Sequence, residues 1–193
     1  MSLDYAILGF LSYGPFSGYD LKKAFDASIA HFWSANQSQI YRTLAKLAEL
    51  GWVTVEIIEQ EDHPDRKSYH ITESGRAALH HWLITPLPFE HTHSAALIQT
   101  FFAGQLENAE ILLVLEQRAQ TLKLLLQTLS QLPQNSASYI QLIHSPREVF
   151  FWTMTLEYGM LLTQARLQWT EMVMQRIKQE EEKGDTHVPP QES

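Results

Sequence analysis

At Gly51 the hydrophobic rhythm of the chain changes, and that change limits the folds open to its first half. Before it, apolar residues recur at threes and fours: Leu3, Ala6, Ile7, Phe10 and Leu11, then Leu21, Ala24 and Phe25, then Ile40, Leu44 and Leu47. Each stripe predicts one buried helical face. After it, "WVTVEIIEQ" and "KSYHIT" are rich in β-branched and aromatic residues and flank the polar "EDHPD", which predicts a hairpin. Thr72 then caps a further helix, "ESGRAALHHWLI", that Pro86 and Pro88 bring to an end.

The punctuation agrees with the periods. "YGP" at Tyr13 to Pro15 closes the first helix, and Ser17 is placed to accept from the free amide near Asp20 and open the second. Ser34 or Asn36 caps a third helix running to about Leu50, and Gly51 suits the left-handed conformation that terminates it.

Helix, helix, helix, hairpin, helix is the layout of a winged helix-turn-helix, whose third helix enters the DNA major groove N-terminus first. The outward face of that helix fits the role. Ser38, Arg42, Ala45 and Glu49 lie opposite its apolar stripe, and its first residues, Asn36, Gln37, Ser38 and Gln39, are uncharged hydrogen-bonding groups. Asn36, Gln37, Ser38, Gln39 and Arg42 are therefore expected to read bases, and Lys46 with the wing residues Arg66 and Lys67 to meet phosphates. Tyr41 joins the DNA-binding set, although for Tyr19, Tyr41 and Tyr69 the plainer expectation is packing. Asp62 and Asp65 lower the positive potential of the wing.

Several spaced blocks carry a family resemblance. "ILGFLSYGPFSGYDLKKAF", "IYRTLAKLAELGWV" and "DRKSYHITESGRAALHHWL" resemble the DNA-binding domain of PadR-type transcriptional regulators over roughly Leu3 to Leu83. Similar proteins often carry proline where Arg42 and Ser34 stand here. "FFAGQLENAEILLVLEQR" and "FWTMTLEYGMLLTQARLQW" resemble the helical C-terminal domain of the larger PadR members, shared with virulence-gene activators. The resemblance implies that this second domain dimerises and that some members respond to small aromatic compounds.

The residues of the second half point the same way. Ala95 to Gly104 predicts a short helix, and Asn108 to about Leu132 a long one with Leu115, Ala119, Leu122, Leu126 and Leu129 in near-heptad spacing. "SPRE" at Ser145 to Glu148 opens another that runs to "EEEKG" with Val149, Trp152, Leu156, Met160, Thr163, Leu167, Thr170, Met174 and Ile177 on one face. So much apolar surface calls for a second copy. The expected class is thus mainly α, with a winged helix-turn-helix at 1–87, an all-α dimerisation domain at 88–183 and a disordered tail at 184–193.

Composition excludes more than it selects. A formal net charge of -8 argues against indiscriminate coating of nucleic acid, and the absence of cysteine removes thiol chemistry and fits a cytoplasmic, reducing setting. No secretory signal or membrane-length apolar run is present, so no membrane association is expected. His80 and His81 precede His91 and His93, but adjacent helical histidines diverge and no acid or thiolate completes a set, so neither metal nor other cofactor is expected. No nucleophile elbow, zinc-protease helix or phosphate loop is present, so no enzyme is expected.

Trp33, Phe150, Phe151, Trp152 and Trp169 are the candidates for an aromatic effector pocket, with ordinary core packing as the plainer alternative. The expected function is a sequence-specific, homodimeric repressor on a pseudo-palindromic operator. A winged helix that binds a protein in place of DNA, favoured by the acidic charge, and a metal-responsive regulator are the alternatives.

Overall fold

A computed structural model describes residues 2–59, 66–88, 93–135 and 145–185. Asp62, Asp65, His91 and the last eight residues of the expected tail lie outside them. The chain divides into two compact units, Met1–Phe89 with Leu132–Thr153, and Glu90–Gln131 with Met154–Ser193.

The first unit opens with helices α1 (Ser2–Leu11), α2 (Gly18–Ser28) and α3 (Gln37–Glu49), followed by strands β1 (Val53–Ile58) and β2 (Arg66–Ile71) and helix α4 (Glu73–Ile84). This is the order the periods predict. Ile7, Leu8, Leu11, Leu21, Ala24, Phe25, Ile40, Leu44 and Leu47 interlock as one core, closed by Val53 and Tyr69 from the hairpin. Burying each large aliphatic side chain contributes about 1.5–3 kcal/mol, which is why the three stripes come together rather than remaining apart. Gly51 ends the α3 segment at φ +68, and the Thr72 and Ser74 hydroxyls both donate to its carbonyl, at 2.8 and 2.9 Å. The start of α4 is thereby tied to the end of α3. Gly75 sits so close beneath that a Cβ there would stand 2.2 Å from the Trp52 carbonyl oxygen.

The hairpin departs from a half-buried ribbon. β1 and β2 pair antiparallel from Val53 opposite Ile71 to Ile58 opposite Arg66, yet only Val53 of β1 is buried, and Val55, Ile57 and Ile58 are exposed. The strands project beyond the core at one end, so period-two alternation persists without a second layer to cover it. At the inner end Phe16 adds a bridge to Tyr69, its amide donating to the Tyr69 carbonyl at 3.3 Å and its carbonyl accepting from the Tyr69 amide at 2.9 Å.

In the second unit α5 (Ala95–Phe101) stops short of Gly104, and a 3-10 turn covers Ala103–Gln105. α6 (Asn108–Asn135) runs past Leu132 and takes Pro133 inside it, and α7 (Pro146–Asp185) begins at the predicted proline and crosses from the first unit into the second. Lys123 pairs with Glu171 at 2.9 Å and Lys178 with Glu116 at 3.9 Å, so α6 and α7 run antiparallel. Leu115, Leu122 and Leu129 are buried on α6 at seven-residue spacing, and Leu156, Thr163 and Thr170 are buried on α7 at the same spacing. The two threonine hydroxyls donate to the Gly159 and Arg166 carbonyls, which leaves their methyl groups for the seam. Among the described residues no helix is long and apolar enough to cross a membrane.

Candidate nucleic-acid interface

The N-terminus of α3 is organised before any ligand arrives. Of the two predicted caps it is Asn36 that serves: its Oδ1 accepts from the Gln39 amide at 2.9 Å, and the Gln39 Oε1 accepts from the Asn36 amide at 2.9 Å. This reciprocal box satisfies helix-end donors that are otherwise orphaned. Asn36, Gln37, Ser38 and Gln39 are all exposed, as are Tyr41 and Arg42, while Ile40 and Leu44 are fully buried beneath them.

The box divides the four polar residues into two kinds. Bidentate reading of adenine by an amide needs both its oxygen and its nitrogen at the base edge. In Asn36 and Gln39 the oxygen is committed to the helix end, so each offers chiefly its NH2 group. Gln37 and Ser38 keep their full donor and acceptor sets. Arg42, one turn on, makes no ion pair with any described residue, so its guanidinium fork is available for guanine or phosphate.

Two of the residues expected at phosphates are already engaged within the fold. The Lys46 ammonium lies 2.5 Å from Asp4 Oδ2, and that aspartate is buried in the first turn of α1. Arg66 pairs with Asp20 in the first turn of α2. Partial burial pushes the Asp20 carboxyl upward, but the Ser17 hydrogen bonds and the Arg66 charge outweigh it and hold the group below the ordinary aspartate value. Lys67, adjacent on the wing strand, is exposed and makes no ion pair with a described residue.

The tyrosines split. Tyr69 is buried as packing predicts, and burial together with the neighbouring Tyr41 pushes its hydroxyl above the ordinary tyrosine value. Tyr19 and Tyr41 are instead 55% and 41% exposed. Lys23 lies over the Tyr19 ring at 4.4 Å, and the Tyr41 ring covers Gly18. The sequence gives no sign of either carboxylate partner, because Asp4 and Lys46, and Asp20 and Arg66, lie far apart along the chain.

The aromatic candidates fall in both units. In the first, Trp33 is partly exposed, and Phe150 and Phe151 are 55% and 52% exposed with edge-to-face rings 5.3 Å apart. Trp152 is half-buried. In the second, the half-buried Trp169 lies under the Arg118 guanidinium at 5.3 Å. Among the described residues no group of three His, Asp or Glu side chains is arranged to hold a metal ion.

Residues 7–81 match the transcriptional regulator PadR-like family, and residues 93–178 match the virulence activator alpha C-term family. Over 182 residues the chain is 30% identical to the negative transcriptional regulator PadR of Bacillus subtilis, spanning 91% of this chain and 97% of that one. The chain belongs to the PadR-like family of transcriptional regulators. This PadR-like regulator is similar to the crystal structure of Bacillus subtilis PadR in complex with operator DNA, with a TM-score of 0.78 and 30% identity over 92% of this chain and 99% of that one. Its similarity to the same protein in complex with p-coumaric acid has a TM-score of 0.72 at 29% identity, over 92% and 99% of the two chains. It is a DNA-binding regulator and not an enzyme.

Proposed function

We propose that this PadR-like regulator acts in the cytoplasm as a homodimeric repressor, with residues 1–87 reading DNA and 88–183 joining two copies. One observation carries the reading: the polar N-terminus of α3 is capped, exposed and followed by Arg42, which pairs with no described residue, while its other face is locked into the core. Gln37, Ser38 and Arg42 read base edges. The amide nitrogens of Asn36 and Gln39, together with Tyr41, Lys46, Arg66 and Lys67, hold the backbone. Dimerisation is supported by the large apolar residues that the second unit leaves exposed, among them Phe101, Leu113, Leu124, Tyr158 and Leu161. Two-fold symmetry then calls for a pseudo-palindromic operator with half-sites about one helical turn, or a multiple of it, apart.

The effector is a small aromatic acid of the p-coumaric type, which the Bacillus subtilis relative binds. The candidates to hold it are Trp33, Phe150, Phe151 and Trp152 in the first unit or Trp169 in the second.

Selection of duplexes from a random-sequence pool by the purified protein, followed by titration against salt, tests the proposal. Expected are an enriched pseudo-palindrome, a dimer by sedimentation, and an affinity that falls by about 0.9 log units per phosphate contact for each tenfold rise in salt. Release of the duplex by p-coumaric acid, with quenching of tryptophan fluorescence, tests the effector assignment. A protein that enriches no sequence, or that sediments as a monomer, ends the case.

A further inference from the structure

The wing poses a mechanical question. A two-stranded ribbon does not hold its shape alone in water. Its inner end is fixed by buried Val53 and Tyr69 and by the backbone bridge from Phe16. Arg66 stands at the outer end of β2, roughly 10 Å further along the strand at the usual rise per residue. Val55, Ile57 and Ile58 are exposed along the way, so apolar packing does not secure that stretch.

What meets Arg66 there is Asp20. The carboxylate is itself fixed: the Ser17 hydroxyl donates to Asp20 Oδ2 at 2.6 Å and accepts from the Asp20 amide at 3.1 Å, so its orientation follows from the N-cap of α2. Arg66 reaches the same Oδ2 through one terminal nitrogen. A guanidinium carries five N–H donors, so this contact leaves others for a second anion, and the Arg66 side chain remains 50% exposed.

We infer that Asp20 is a positioning residue for DNA binding: oriented by Ser17, it holds the Arg66 guanidinium at the outer end of the wing strand in place to meet a DNA phosphate. The inference rests on the reading that Arg66 contacts phosphate. It makes an unusual demand on charge. Asp20 is an anion beside a surface that receives a polyanion, so its removal should favour DNA through simple electrostatics. A positioning role requires the opposite sign.

The test uses the full-length protein and a duplex that the wild type selects from a random-sequence pool, with affinity measured across a salt series. Arg66→Gln should weaken binding by roughly fivefold and lower the log–log salt slope by about 0.9, the loss of one phosphate contact. Asp20→Asn should do the same although it removes a negative charge. Asp20→Glu should restore part of both, and the Asp20→Asn/Arg66→Gln double variant should bind no worse than Arg66→Gln alone. Melting curves identify any variant that is not folded, in which case Asp20→Glu and Arg66→Gln carry the comparison. If Arg66→Gln reduces the slope while Asp20→Asn binds as tightly as the wild type or tighter, Asp20 competes with DNA and the inference is overturned. If Arg66→Gln leaves the slope unchanged, the phosphate contact itself is wrong and the inference falls with it.

Discussion

The ring of Tyr41 closes over Gly18 so tightly that a Cβ on that glycine would stand 2.5 Å from Cε1 and 2.7 Å from Cζ. The first turn of α2 and the outward side of α3 therefore meet through a residue that has no side chain. Alanine normally favours a helix over glycine by about 1 kcal/mol. Here that gain is opposed by displacement of the ring. Gly18→Ala should lower the melting temperature, and adding Tyr41→Ala should recover much of the loss by removing the obstacle. A Gly18→Ala protein that melts at or above the wild-type temperature contradicts the packing described.

The capping box predicts two classes of variant at the tip of α3. Asn36→Ala removes a cap worth about 1 kcal/mol, so it should lower stability and weaken all duplexes alike. Gln37→Ala and Ser38→Ala should leave the folding stability within about 0.5 kcal/mol of wild type and relax the selected sequence at individual base positions. Parallel melting and sequence selection separate the two classes.

Lys46 has a structural duty that its exposure conceals. Its ammonium is 2.5 Å from the buried Asp4 carboxylate, so Lys46→Ala should cost about 1–3 kcal/mol of folding stability by leaving that carboxylate without its partner. Asp4→Asn in the Lys46→Ala background should return part of it. Chemical denaturation reads both. A Lys46→Ala protein of unchanged stability but lower salt slope in DNA binding assigns the lysine to phosphate alone.

Two pH limits follow from named groups. Asp20 is held below the ordinary aspartate value, so its contribution is present above the unfolded value of about 4 and is lost as pH falls through the folded value. Arg66→Gln should therefore flatten the acid limb of the stability profile. Tyr13 and Tyr69 are raised, Tyr13 by burial and then by Glu148, so their contributions hold up to about pH 10 and are lost as pH rises through the folded values. Tyr69→Phe should soften the alkaline limb in a denaturation series.

Much of this was legible in the chain because the relevant signals are local. The Asn36 cap, the turn at Gly51, the Thr72 cap and the proline start of α7 each depend on residues within a few positions of one another, and the stripes of α1, α2 and α3 name the core directly. What was not legible is long-range. Asp4 meets Lys46, Asp20 meets Arg66, Phe16 pairs with Tyr69, and no spacing rule links positions so far apart. The partial exposure of Tyr19 and Tyr41 has a related cause: helical spacing says which residues share a face, while exposure depends on what else reaches it. Pro133 lies within α6, in its last turn as described, although a proline there removes a hydrogen bond and crowds the carbonyl four residues before it.

The reciprocal lock between Asn36 and Gln39 also bears on the thermodynamics of recognition. A reading element whose first turn is rigid in the free protein surrenders little conformational freedom in the groove, so no folding transition of α3 accompanies association. Calorimetry across temperature should accordingly find a modest negative heat-capacity change that tracks the apolar surface covered, without the large excess that marks segments ordering on contact.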